Sequence, residues 1–215
     1  MRQIIFLLTL LLCANMLLAQ DDPCHRKTEG NDFWFGFMES RNYHNGHFVE
    51  ITVTAREATN FRIYTGKEET LFNDVYTIQA NSSLRIKIPW DLVEATGSEV
   101  IQNKGIRLIS EKPVNVYALN WDKNSSDVAL IYPVESLGNE YFAVCFEPHI
   151  HENANGAYGN GRNSQFMIVA SANETNVSII PSKVTDKLVQ KGDTINITLE
   201  KGETFQVQSL NRNNL

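Results

Sequence analysis

Leu84-Arg85-Ile86-Lys87-Ile88 alternates apolar and cationic side chains without a break. A period of two places the aliphatic residues on one face of an extended strand and the cations on the other. The pattern recurs upstream in Val49-Glu50-Ile51-Thr52-Val53 and Phe61-Arg62-Ile63-Tyr64, and downstream in Val114-Asn115-Val116-Tyr117. Further on come Phe166-Met167-Ile168-Val169, Val177-Ser178-Ile179-Ile180, Ile195-Asn196-Ile197-Thr198-Leu199 and Phe205-Gln206-Val207. Turn formers separate these runs: Gly66-Lys67, Asn81-Ser82 and Lys201-Gly202-Glu203. One helical turn is expected around Asp91 to Glu94, after Pro89-Trp90. The spacing predicts an all-β chain of about a dozen short antiparallel strands, sandwich-like, with propeller-like β repeats as the alternative.

Ordered matches at long range point to an internal repeat. Gly30-Asn31-Asp32-Phe33-Trp34 returns 108 residues later as Gly138-Asn139-Glu140-Tyr141-Phe142. Thr59-Asn60-Phe61-Arg62-Ile63 returns after 116 residues as Thr175-Asn176-Val177-Ser178-Ile179. Leu84-Arg85-Ile86 returns after 121 residues as Phe205-Gln206-Val207. The growing offset is expected to reflect loop insertions, the first in the Asn- and Gly-rich stretch from His151 to Asn163. The expected organisation is a signal peptide over 1–19, a linker over 20–29, a first β repeat over 30–137 and a second, truncated one over 138–215. A strand beginning near Tyr141 should then stand where one beginning near Phe33 stands.

Met1-Arg2, the apolar run from Ile4 to Leu12 and the small-residue exit Leu17-Leu18-Ala19 read as a secretory signal, too short for a membrane span. Cys13 falls inside it. Cleavage leaves Cys24 and Cys145, a candidate disulfide in an oxidising compartment. The apolar setting Tyr141-Phe142-Ala143-Val144-Cys145-Phe146 favours instead a small, buried Cys145. With 42% hydrophobic residues, 20% charged and a formal charge of -6, the chain is globular and acidic. It has no basic run to meet nucleic acid or an anionic membrane.

Several longer segments carry a resemblance. They are Asp32-Phe33-Trp34-Phe35-Gly36-Phe37-Met38, Gly97-Ser98-Glu99-Val100-Ile101-Gln102-Asn103-Lys104-Gly105-Ile106 and Lys112-Pro113-Val114-Asn115-Val116-Tyr117-Ala118-Leu119-Asn120. Ala129-Leu130-Ile131-Tyr132-Pro133-Val134-Glu135-Ser136-Leu137-Gly138 and Gln206-Val207-Gln208-Ser209 extend it. Together they resemble the N-terminal domain of the IgG-Fc-binding protein family, as found in secreted and surface-attached bacterial proteins. The resemblance implies a non-enzymatic extracellular binding or adhesion module for a protein or a glycan, with no catalytic residue to carry over and no cofactor.

Residues that carry chemistry are few. His149-Ile150-His151 sets two imidazoles on one strand face and is the basis for an alternative reading, a metal-dependent β-barrel enzyme. The position a third ligand would need holds Asn155. His44 and His47 form a looser pair. A structural spacer for a further C-terminal domain is the other alternative. Asp122-Lys123-Asn124-Ser125-Ser126-Asp127 lacks the glycine and glutamate of a calcium loop and reads as a polar hairpin turn. No Gly-x-Ser-x-Gly elbow occurs. Phe33, Phe35 and Phe37 are expected in the core, with Trp34 on the opposite face. Trp90 and Trp121, at strand ends beside polar loops, are candidate partner contacts, with His149, His151 and Tyr158 in the loop beyond.

Overall fold

The computed structural model describes residues 27–40, 47–122, 125–145 and 163–210. They form antiparallel sheets with little helix, as the alternation requires. The largest sheet has eight strands. These are β1 (Gly30–Phe35), β2 (Phe48–Ala55), β3 (Thr59–Thr65), β4 (Thr70–Leu71), β5 (Tyr76–Ile78), β6 (Ser82–Ile88), β8 (Ile106–Asp122) and β9 (Ser125–Ile131). β7 (Ile101–Gln102) lies outside this sheet. A single helical turn, α1 (Trp90–Val93), follows β6 where Pro89 removes a ladder donor.

β8 organises the sheet. It is 17 residues long, and Glu111, Lys112 and Pro113 in its middle are all exposed. The alternation of buried residues breaks there, and so does the pairing. Before it, Ile106–Ser110 lies between β1 and β3; after it, Val114–Trp121 lies alongside β2, and its last residues also pair with β9. One bent strand thus serves two half-sheets whose inward side chains meet. Phe33, Phe61, Ile63, Ile106 and Leu108 join Val49, Ile51, Val53, Ile86, Val114 and Val116 in one cluster of buried residues. Phe33, Phe35 and Phe37 all enter this core, and Trp34 is covered on the other face, 5.5 Å from the Arg107 guanidinium.

Beyond β9 a 3-10 turn (Val134–Ser136) leads to Tyr141–Cys145. Here the structure departs from the expected strand. Tyr141–Cys145 has no ladder partner among the described residues, and Tyr141 is 64% and Phe142 98% exposed. Cys145 is likewise exposed rather than buried; its thiol donates to the Gln165 carbonyl at 3.2 Å. The pattern was apolar, but no neighbouring strand is present to bury it.

Two smaller sheets follow. β10 (Gln165–Val169) pairs with β13 (Thr204–Gln208), and β11 (Thr175–Ile179) with β12 (Ile195–Leu199). Ala170, Ile179, Leu199, Phe205 and Val207 make a second, smaller core. β13 also pairs with β7, Phe205 opposite Ile101, so the C-terminal part is tied into the N-terminal part through a shared sheet. All five residues of β13 are buried, including Gln206, which alternation alone places toward solvent.

Candidate functional site: an aromatic sheet face and the joint beneath it

β8 is apolar on both faces along its second half. Its even positions, Val114, Val116 and Ala118, go to the core, and its odd positions Tyr117, Leu119 and Trp121 point outward. β2 and β9 extend this outer face on either side. Phe48 stands opposite Trp121, Val128 opposite Leu119 and Leu130 opposite Tyr117. The Phe48 and Trp121 rings stack at 5.0 Å and 16°. From β6, the Lys87 ammonium sits 3.8 Å from the centre of the Phe48 ring. Beside it Arg85 approaches Glu50, Nε to Oε1, at 3.8 Å.

Tyr117 is 36% exposed and Val128 67%. The result is a contiguous aromatic and aliphatic strip, edged by cations, on a backbone held rigid by the core behind it. Rigid aromatic anchors rimmed by charge are the composition of a protein-binding surface.

Trp90 plays a different part from Trp121. It opens α1, packs half-buried against the core and meets His47 edge-on at 5.8 Å. His47 Nε2 lies 2.9 Å from Glu94 Oε2, both side chains essentially inaccessible. Glu94 Oε1 accepts the Ser40 backbone N–H at 2.7 Å. Trp90 therefore closes a buried polar pair at the end of the sheet. His149, His151, Tyr158 and Cys24 lie outside the described residues, so the histidine pair and the Cys24–Cys145 bridge have no geometry to report. Among the described residues no three His, Cys, Asp or Glu side chains group as metal ligands do.

Beneath the strip two polar clusters join the N- and C-terminal parts, and alternation signalled neither. At one, Glu39 is the centre. Its N–H donates to Gln206 Oε1 at 3.0 Å, and its carboxylate accepts Gly97 N–H at 2.8 Å and Gln208 Nε2 at 2.9 Å. Gln165 Nε2 donates to the Glu39 carbonyl at 2.9 Å, and Gln206 Nε2 to the Gly97 carbonyl at 2.8 Å. Each buried amide of β13 is satisfied in this way.

At the other, Arg107 holds Asp32 bidentately, Nε to Oδ1 at 2.9 Å and Nη2 to Oδ2 at 2.7 Å, and its Nη1 reaches Glu69. Lys201 Nζ closes on the same Glu69 at 3.0 Å. Hydrogen bonds from Asp32 hold the Arg107 guanidinium above its ordinary pKa despite burial. Partial burial pulls the Glu69 carboxyl up, but Arg107 and Lys201 outweigh it and the net shift is downward.

Three glycine backbones lock together between these clusters. Gly66 N–H donates to the Gly105 carbonyl at 2.8 Å, and Gly105 N–H to the Gly202 carbonyl at 3.0 Å.

A family model described as IgGFc binding protein matches residues 127–215, from within β9 through β13. The chain belongs to the IgGFc-binding family. The human IgGFc-binding protein is 26% identical over 136 residues, which is 62% of this chain and 2% of that protein. The chain thus spans a small fraction of its relative's length. The crystal structure of Thermotoga maritima 1070 aligns over 52% of this chain and all of that one, at 16% identity and a TM-score of 0.34. So low a score carries no argument. Members of the IgGFc-binding family are binding proteins by description, and no helix among the described residues is long and apolar enough to cross a membrane.

Proposed function

We propose that the chain is an extracellular protein-binding module that presents the outer face of β6, β2, β8 and β9 to its partner. The observation that carries this is the Phe48–Trp121 stack continued by Tyr117, Leu119 and Val128. An aromatic pair alone would also suit a sugar ring. The aliphatic continuation favours a protein, because Leu119 and Val128 offer area and no hydrogen bonds. Each such side chain contributes about 1.5–3 kcal/mol when fully covered, and a central Trp in an interface commonly costs about 2 kcal/mol or more on truncation. Binding of this kind calls on no cofactor. The secretory start of the chain and the family's description support an extracellular setting.

The test is surface plasmon resonance against immobilised IgG Fc and a set of secreted glycoproteins. Saturable binding to at least one, weakened at least tenfold by Trp121→Ala and abolished by Val128→Glu, is expected. Binding to none of them, or binding that both variants leave intact, overturns the assignment.

A further inference from the structure

The C-terminal sheets repeat the N-terminal ones strand for strand, with one strand fewer. Ile51↔Ile86 of β2·β6 has its counterpart in Phe166↔Val207 of β10·β13, and Val53↔Leu84 in Ile168↔Phe205. Thr59↔Ile78 of β3·β5 has its counterpart in Thr175↔Leu199 of β11·β12, and Phe61↔Tyr76 in Val177↔Ile197. The turn between the last two elements carries a left-handed residue in each copy, Asn81 at φ 53 and Gly202 at φ 84. Direction, order and register agree at every one of these pairs.

The N-terminal sheet has β8 in addition. β8 lies between β1 and β3 with its first half and along β2 with its second. Among the described residues no strand fills the corresponding place beside Tyr141–Cys145, β11 and β10. Burial records the difference at matched positions. Phe33, Trp34 and Phe35 are 0%, 6% and 5% exposed, whereas Tyr141 and Phe142 at the matching positions are 64% and 98%, and Val144 nearby is 94%. Ile51, Val53 and Phe61 are fully buried, whereas Phe166, Ile168 and Val177 are half-buried. The side chains are alike; only the covering strand differs.

We propose that this edge receives an extended strand from a separate polypeptide, antiparallel to β10 and β11 and apolar at alternate positions. An open ladder edge flanked by uncovered apolar side chains is the template for strand addition. The described strands of this chain already have their own partners, and β8 is held by four neighbours. The matched register specifies the incoming strand. A residue in the role of Val116 falls opposite Ile168, one in the role of Ala118 opposite Phe166, and one in the role of Ser110 opposite Val177. The small residue opposite Phe166 leaves room for a ring where the N-terminal sheet has Ile51.

The probe is a synthetic peptide of Ile106–Asp122, with two lysines added at each end for solubility, titrated into the full chain. Hydrogen exchange and fluorescence anisotropy are the readouts. Saturable one-to-one binding is expected, with exchange slowed roughly tenfold or more in 141–145, 165–169 and 175–179. The same peptide carrying Val116→Pro, which removes a ladder donor, should bind at least tenfold more weakly. No binding, or no slowing in those three segments, overturns the proposal. So does slowing confined to β1, β2 and β3, which would mean exchange with the chain's own β8. Equal binding of the proline peptide would show unspecific adhesion, and edges already protected in a self-associated chain would show that a second copy covers them. Either result also overturns it.

Discussion

Replacing Gly202 by alanine isolates the contribution of the glycine junction. Gly202 has φ +84, and a Cβ there would stand 2.8 Å from the Gly66 carbonyl oxygen and from Lys67 N and Cα. Those are backbone atoms, so no side-chain rotation relieves the clash. The left-handed conformation alone costs an alanine about 1–2 kcal/mol. Moving the loop away strains the bonds from Gly105 N–H to the Gly202 carbonyl at 3.0 Å and from Gly202 N–H to the Ala170 carbonyl at 2.9 Å. Each lost hydrogen bond adds about 0.5–1.5 kcal/mol. The expected total is about 2–4 kcal/mol, a fall in Tm of about 5–12 °C for a domain of this size. Gly192 is the control: its φ is +88, but a Cβ would meet nothing within 4 Å. Gly192→Ala should cost the conformational part only, about 1–2 kcal/mol. Urea denaturation followed by circular dichroism measures both. Equal losses in the two variants would refute the argument that the three backbones are in obligatory contact.

Other outcomes follow from the polar clusters and the thiol. Glu69 has its carboxyl held below the ordinary 4.5, so its pairing with Arg107 and Lys201 stabilises the fold above that pH. The contribution is lost as the pH falls through the lowered value. The urea midpoint should therefore drop between pH 6 and pH 3, and Glu69→Gln should drop less. Glu94→Ala, which strips the acceptor from Ser40 N–H and the partner from His47, should destabilise by about 1–3 kcal/mol, while Glu94→Gln should retain most of the stability in thermal melts. Cys145, exposed in the folded chain, should react with a thiol reagent as fast natively as in urea; slow native labelling would place it in a contact or a bridge.

Period two was enough to locate most strands, because each apolar face had a core to meet. The pattern from Leu84 to Ile88 became β6 with Ile86 and Ile88 buried, and that from Ile195 to Leu199 became β12. Alternation states which face wants cover but not whether a cover exists, and Tyr141–Cys145 shows the difference. Gln206 errs in the opposite sense. It reads as solvent-facing, yet it is buried because β7 and the Gly97–Ser98 turn come from more than 100 residues away to cover it. Such contacts join polar loop residues that have no periodicity. Trp90 and Trp121 looked equivalent as strand-end aromatics. Pro89 and α1 turn the first into the core, while the outward phase of β8 leaves the second on the surface.

The bend at Glu111–Pro113 lets one strand bind four others, and this governs the order in which the chain acquires structure. Before β8 exists, β2 has only β6 and β3 only β4 and β5. Two-stranded ribbons of this kind are marginal in water. β1 has no ladder partner at all until Ile106 and its successors appear. A chain emerging from the ribosome therefore holds its Phe33, Ile51 and Phe61 side chains uncovered for more than a hundred residues, and then buries them together when β8 arrives. Pairings such as Phe48↔Trp121 close long loops, which slows their formation relative to local contacts. Folding of the N-terminal sheet is thus a late, all-or-none event triggered by one strand, and a nascent chain halted short of Ile106 is a substrate for chaperones and proteases rather than a partly built domain.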